Sequence, residues 1–186
     1  WCPEAKLYDT KNKYREQYQS WAKQGFLWVT DGDAVDEDVI RNHIVADKEK
    51  FNIQRIGIDR GFQGYSFARK LDEALGGTEK DPVVAACGMG WVSMMAPCQR
   101  LEALLLMNKL NHGGNPVLRW NADSVAVKIN PTGGGMSPNK ATSQGKIDGI
   151  IGILLGLDGL MRGEGPTVSA YSGMTSEQIS ARMVFK

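Results

Sequence analysis

Apolar residues along this chain come in short, separate bursts, and their spacing alternates between helical and continuous. Tyr14, Tyr18 and Trp21 recur every three or four positions in an otherwise polar stretch. That spacing predicts a surface helix over 10–23 with one packed aromatic stripe and solvated lysines and arginine. The pattern breaks at Gly25 into Phe26-Leu27-Trp28-Val29. After Asp31-Gly32-Asp33, the acids Asp36, Glu37 and Asp38 crowd one helical turn, where the partial positive charge of a helix N-terminus favours them. This second helix is expected to run to Lys48, with Val35, Val39, Ile40 and Ile44 as its apolar face and His43 packed beside it. Residues 53–58 are a short apolar run rich in β-branched side chains, as in a buried strand, and they end at Asp59. A helix over 63–75 follows, then a second apolar strand over 83–87 closed by Gly88-Met89-Gly90. Pro97 is placed in the first turn of the next helix, which continues through Leu101, Leu104, Leu105 and Met107. Strand and helix alternating in this way predict a parallel sheet covered by helices.

The second half is less regular. Residues 111–116 are rich in glycine and asparagine, and 117–120 and 125–129 read as the two strands of a hairpin around Asn121. The stretch 131–145 has no hydrophobic period and is expected to be a mobile loop. Residues 146–161 are apolar on almost every side, the mark of a buried helix. Gly149, Gly152, Gly156 and Gly159 lie along it at spacings of three and four. Each glycine costs a helix about 1 kcal/mol relative to alanine, so the four are expected to form a groove for close packing. Residues 163–186 read as a polar tail with a weak helical pattern over 176–185.

Composition narrows this picture. A chain of 186 residues, 42% hydrophobic and 23% charged, is sized for one domain with its own core. A formal net charge of +1 means that a polyanion would have to be met by a local basic patch. Cys2, Cys87 and Cys98 form no CxxC pair and are odd in number, which favours free buried thiols in a reducing compartment. The most apolar run, 150–157, falls well short of the ~20 residues needed to span a bilayer, so no membrane role is expected.

Asp59 and Asp148 carry the candidate chemistry. Each stands at the boundary of an apolar element, where an ionised carboxylate needs solvent, a hydrogen-bonding partner or a cation. Asp59 is equally readable as a helix N-cap, and Asp148 as a first-turn acid stabilised by the helix dipole. Placed opposite one another at the end of a sheet, the pair offers hard oxygen ligands suited to Mg²⁺ or Mn²⁺. Two such ions about 4 Å apart activate water and stabilise a phosphodiester's leaving oxygen. Arg119 and Lys128 on the expected hairpin, with Lys140 and Lys146 flanking the loop, are candidates for the basic patch, and His112 for a phosphate contact or proton transfer. Asp158 is assigned a polar contact at the far end of the last helix. Gly145-Lys146 is not a P-loop, because Lys140 stands at the first required glycine and Ile147 where Ser or Thr would bind magnesium. No cysteine has a histidine at zinc spacing or an evident base.

In order, the chain carries Tyr18-Gln19-Ser20-Trp21-Ala22-Lys23-Gln24-Gly25, Asp31-Gly32-Asp33-Ala34-Val35-Asp36, Ile56-Gly57-Ile58-Asp59, His112-Gly113-Gly114-Asn115-Pro116-Val117-Leu118-Arg119-Trp120, Lys140, and Lys146-Ile147-Asp148-Gly149. Over 1–162 this set resembles the C-terminal nuclease domain of the large terminase subunit of tailed bacteriophages. The resemblance implies an α/β, RNase H-like mixed sheet flanked by helices, with an added β-hairpin matching 117–129. It also implies a two-metal endonuclease that cuts concatemeric double-stranded DNA during genome packaging. Asp59 and Asp148 match two of the family's metal-binding acids. The implied partners are double-stranded DNA, the terminase ATPase domain, the small terminase subunit and the portal, in the cytoplasm of a bacterial host. The family's first strand and its aspartate precede the point matched by Trp1. An N-terminally truncated, impaired nuclease is therefore expected, or else a noncatalytic DNA-docking module of the packaging motor. A resolvase or recombinase of similar fold is a weaker third reading.

Overall fold

A computed structural model describes residues 1–61, 64–131 and 135–162. In chain order the elements are β1 (Cys2–Pro3), α1 (Ala5–Tyr8), α2 (Arg15–Lys23), β2 (Val29–Thr30), α3 (Glu37–Lys48), β3 (Ile56–Asp59), α4 (Gly64–Ala74), β4 (Val84–Cys87), α5 (Trp91–Leu106), α6 (Pro116–Ser124), β5 (Val127–Ile129), β6 (Met136–Pro138) and α7 (Asp148–Arg162). The architecture is mixed α/β. Among the described residues the strands form three two-stranded sheets, β1–β2 and β3–β4 parallel and β5–β6 antiparallel.

The β3–β4 pair is the centre of the molecule. Ile56 pairs with Val84 and Asp59 with Cys87, and Arg60 N–H extends the ladder by donating to Cys87 O at 3.0 Å. One apolar cluster, Ala68, Leu71, Leu75 and Val84, joins α4 to the strands, with Ile44 and Val45 of α3 packed against it. The other, Cys87, Met94, Cys98, Leu154 and Leu155, joins β4 to α5 and α7. Strands covered in this way are apolar, as Ile56-Gly57-Ile58 of β3 and Val84-Ala85-Ala86-Cys87 of β4 are. Asp72 Oδ1 accepts from Val83 and Val84 N–H at 2.7 and 2.8 Å, tying the end of α4 to the start of β4. Cys2, Cys87 and Cys98 are all buried.

The pattern did not predict β1, α1 or β2; α2, α3, β3, α4, β4 and α5 fall close to where it puts them, with three adjustments. The aromatic helix starts at Arg15. Asp36 is the N-cap of α3, accepting from Asp38 and Val39 N–H, while Glu37 and Asp38 occupy the first turn. The helix after β4 begins at Trp91, so Pro97 lies inside it.

The second half corrects two expectations. Residues 117–120 are helical. Asn115 Oδ1 accepts from Val117 and Leu118 N–H at 3.0 Å, and Pro116 stands in the first turn, an N-cap and a proline that together start α6. The hairpin is real but is built by β5 and β6, so the expected loop supplies its second strand. The rest of that loop is held by hydrogen bonds. Tyr14 Oη donates to Gln144 O at 2.7 Å, Gln144 N–H donates to Ser124 O, and Ser143 Oγ accepts from Ala126 N–H. Residues 132–134 of the expected loop and the whole tail 163–186 lie outside the described residues. Among the described residues no helix is long and apolar enough to cross a membrane.

Candidate functional site

Helix α7 crosses the sheet antiparallel to β3 at unusually short range. A Cβ on Gly57 would lie 2.6 Å from Leu155 O, and one on Gly159 would lie 3.7 Å from Arg55 Cβ. Stepping forward from Arg55 to Gly57 on the strand therefore steps back from Gly159 to Leu155 on the helix. Continued in the same direction, this register brings the carboxyl end of β3, with Asp59, to the amino-terminal turns of α7, with Asp148. The two aspartates stand at the same end of the packed layer.

Their surroundings differ. Asp59 is exposed and closes a turn, its Oδ1 accepting from Gly61 N–H at 2.9 Å. That bond caps the turn after β3, while α4 starts further on, at Gly64. Asp148 is also exposed but lines a cavity of about 970 Å³ together with Lys146, Tyr18, Trp21 and Trp120. Asp59 is not among the residues lining that cavity. Among the described residues, no group of three or more His, Cys, Asp or Glu side chains is gathered tightly enough to hold a metal ion.

The start of α7 is held by a residue that the sequence did not advertise. Asn121, buried on α6, donates from Nδ2 to Lys146 O at 2.7 Å and accepts at Oδ1 from Gly149 N–H at 2.9 Å. One side-chain amide thus satisfies the carbonyl before Ile147 and an otherwise orphaned amide of the first turn, fixing the backbone on both sides of Asp148. Gly149 is required there because a Cβ would fall 2.5 Å from Asn121 Oδ1. Ile147, 1% exposed, plugs the same entry from below.

The cavity wall is aromatic. Trp120 of α6 meets Tyr14 edge-on at 4.8 Å between ring centroids and meets Trp21 at 5.3 Å, which clamps α2 to α6. Burial, with the negative charges of Cys2, Asp148 and Tyr14, pushes the Tyr18 phenol up to about 12, so it stays protonated across the ordinary pH range. Burial likewise raises the Cys2 and Cys98 thiols, which lowers their thiolate fraction.

The expected basic residues are spread out. Lys146 stands beside Asp148 on the cavity. Lys128, on β5, lies over the Trp91 ring at 4.8 Å, next to the start of α5. Arg119 is exposed on α6 rather than on a hairpin, Lys140 is exposed just after β6, and His112 lines an adjoining cavity of about 500 Å³ that shares Phe26, Val117, Asn121 and Gly149 with the first. His43 packs between the rings of Trp1 and Trp28, accepting from Trp1 Nε1–H at Nδ1. Asp158 is buried at 4% exposure.

The chain is 29% identical to the large terminase subunit of Enterobacteria phage HK97 over 178 residues, 96% of this chain and 32% of that protein. It is also 29% identical to protein YmfN of Escherichia coli K12 over 161 residues, 83% of this chain and 34% of YmfN. The chain thus spans about a third of the length of these relatives. The crystal structure of the HK97 large terminase superposes with a TM-score of 0.72 at 25% identity, over 84% of this chain and 31% of that one. The family model for the endonuclease domain of the terminase large subunit matches residues 2–164, from β1 through the end of α7, and the chain accordingly belongs to the terminase large subunit nuclease family.

Proposed function

We propose that this domain is a metal-dependent endonuclease of RNase H-like fold that cuts double-stranded DNA during phage genome packaging. Asp59 and Asp148 are its acid ligands. What supports the reading is the antiparallel docking of α7 on β3, a register that, continued, runs from Leu155 opposite Gly57 towards the start of α7 on the side of Asp59. Their donors are hard oxygens, the chemistry that suits Mg²⁺ or Mn²⁺. An ion held there would lower the pKa of a bound water and neutralise charge at the phosphorus. Two ions need more carboxylate than this pair supplies. The chain's own contribution is positional. Asn121 fixes the backbone that carries Asp148, the Gly61 amide orients the Asp59 carboxylate, and Lys146, Lys128, Lys140, Arg119 and His112 are the cations and donors available to the DNA backbone. In a longer protein the partners of this domain would be an ATPase motor, a small subunit and a portal.

Cleavage of supercoiled plasmid in Mn²⁺ tests the reading. Asp148→Ala and Asp59→Ala should each lower the rate by about a hundredfold or more, equivalent to several kcal/mol of lost charge stabilisation. Cleavage that survives Asp148→Ala unchanged overturns it. The absence of a third acid among the described residues favours a second reading, a DNA-docking module without catalysis. Salt-dependent DNA binding that needs Arg119 or Lys128 but neither metal nor Asp59, with no cleavage, would select that reading.

A further inference from the structure

Arg60 follows Asp59 directly, and its side chain has a placement that the fold itself does not require. Arg15, Arg41, Arg55 and Arg69 each lie within 4.0 Å of a carboxylate, whereas Arg60, Arg100 and Arg119 do not among the described residues. The exposed Arg60 guanidinium has no acidic partner among the described residues. It lies instead across Gly88, the residue opposite it at the end of the β3–β4 ladder. A Cβ on Gly88 would come 3.3 Å from Arg60 Nη2 and 2.9 Å from Ser93 Oγ, so the guanidinium and the hydroxyl surround one point above a bare, buried backbone. Past that point the chain enters α5 through Gly90, where no side chain caps the helix. Lys128 stands on Trp91 at the same entrance. An arginine with no carboxylate partner and a lysine at an uncapped helix start thus stand at the carboxyl end of two parallel strands, one position along the chain from Asp59.

We propose that Arg60, supported by Ser93, grips a phosphodiester of duplex DNA next to Asp59. The proposal rests on the endonuclease reading for its substrate and extends it to a residue that sets the strand's position. A guanidinium presents a planar fork that matches two phosphate oxygens, which a lysine cannot reproduce. Lying on glycine, the fork is held by shape rather than by an ion pair that DNA would first have to break.

Binding of a short fluorescent duplex, measured by anisotropy across a salt series in EDTA, tests this without any cleavage. Arg60→Ala should weaken binding several-fold and reduce the slope of log affinity against log salt by about one unit, the signature of one lost phosphate contact. Arg60→Gln, which keeps hydrogen-bonding capacity without charge, should show the same loss of slope, and Arg60→Lys should retain the slope. Gly88→Ala, which crowds Ser93 Oγ and nudges the guanidinium without removing its charge, should keep the slope and weaken binding less than Arg60→Ala, and the double variant should be no worse than Arg60→Ala alone. An unchanged slope in Arg60→Ala and Arg60→Gln overturns the proposal, as does failure of the parent chain to bind duplex DNA. An Arg60-dependent slope in a chain that never cuts plasmid would instead leave the phosphate grip standing and remove the nuclease reading.

Discussion

The middle and the start of α7 are held in opposite ways. Over Gly57 the helix meets backbone with backbone, at a distance that leaves no room for a Cβ. At its start it is held by one side chain, the Asn121 amide. The middle of the glycine series differs again, because a Cβ on Gly152 or Gly156 would meet nothing within 4 Å. Glycine spacing by itself therefore does not mark a packing groove. Here the close approach is made by a strand glycine against the helix, and Gly149 yields to a polar cap.

Substitutions along this contact should separate the three situations. Gly57→Ala forces a Cβ against Leu155 O and C, backbone atoms that cannot swing aside. It should cost about 3 kcal/mol, at the upper end of overpacking effects, seen as a large fall in the urea midpoint. A near-neutral result would mean that α7 slides freely on β3, and would dissolve the register that places Asp59 near Asp148. Asn121→Ala leaves Gly149 N–H and Lys146 O unpaired in a half-buried setting and should cost about 1 kcal/mol, with loss of hydrogen-exchange protection concentrated at the start of α7. Gly152→Ala and Gly156→Ala should each stabilise the domain by up to about 1 kcal/mol, the helix-propensity gain with no clash to offset it. Destabilisation there would show that these glycines do serve a contact.

The smallest expected effect reads the charge of Asp148 directly. Its negative charge is one of the causes that raise the Tyr18 phenol to about 12, after burial and Cys2. Asp148→Asn should therefore lower the Tyr18 pKa, followed by tyrosinate absorbance, and an unchanged titration would place Asp148 away from the cavity. The sign for stability follows from linkage. A phenol whose pKa is raised from 10.0 on folding contributes stability that is fully present below pH 10 and lost as pH rises from there towards 12.

Much of the first half was legible from the chain. Continuous apolar runs, their helical neighbours and the acid-rich start of α3 are local signals, and β3, β4, α3 and α4 form where those signals lie. The error over 117–120 came from weighing short apolar runs above the Asn115-Pro116 start signal, which is also local and was readable. The β6 strand was missed for a different reason. Met136-Ser137-Pro138 has little strand character of its own, and its pairing with β5 is settled by packing on α5, where Ser137 is 1% exposed.

The candidate site divides along the same line. The residues Asp59, Asp148 and Lys146, and the ordered motifs that mark the family, belong to the sequence alone, because residue types and their order need no folding to be read. Which of them share a surface was decided only in three dimensions. A Gly57 backbone against Leu155, an Asn121 amide reaching across 28 positions to Gly149, and an Arg60 guanidinium lying on Gly88 are contacts between segments far apart in the chain. Their energies arise from close approach and desolvation, quantities that do not exist until the chain is packed.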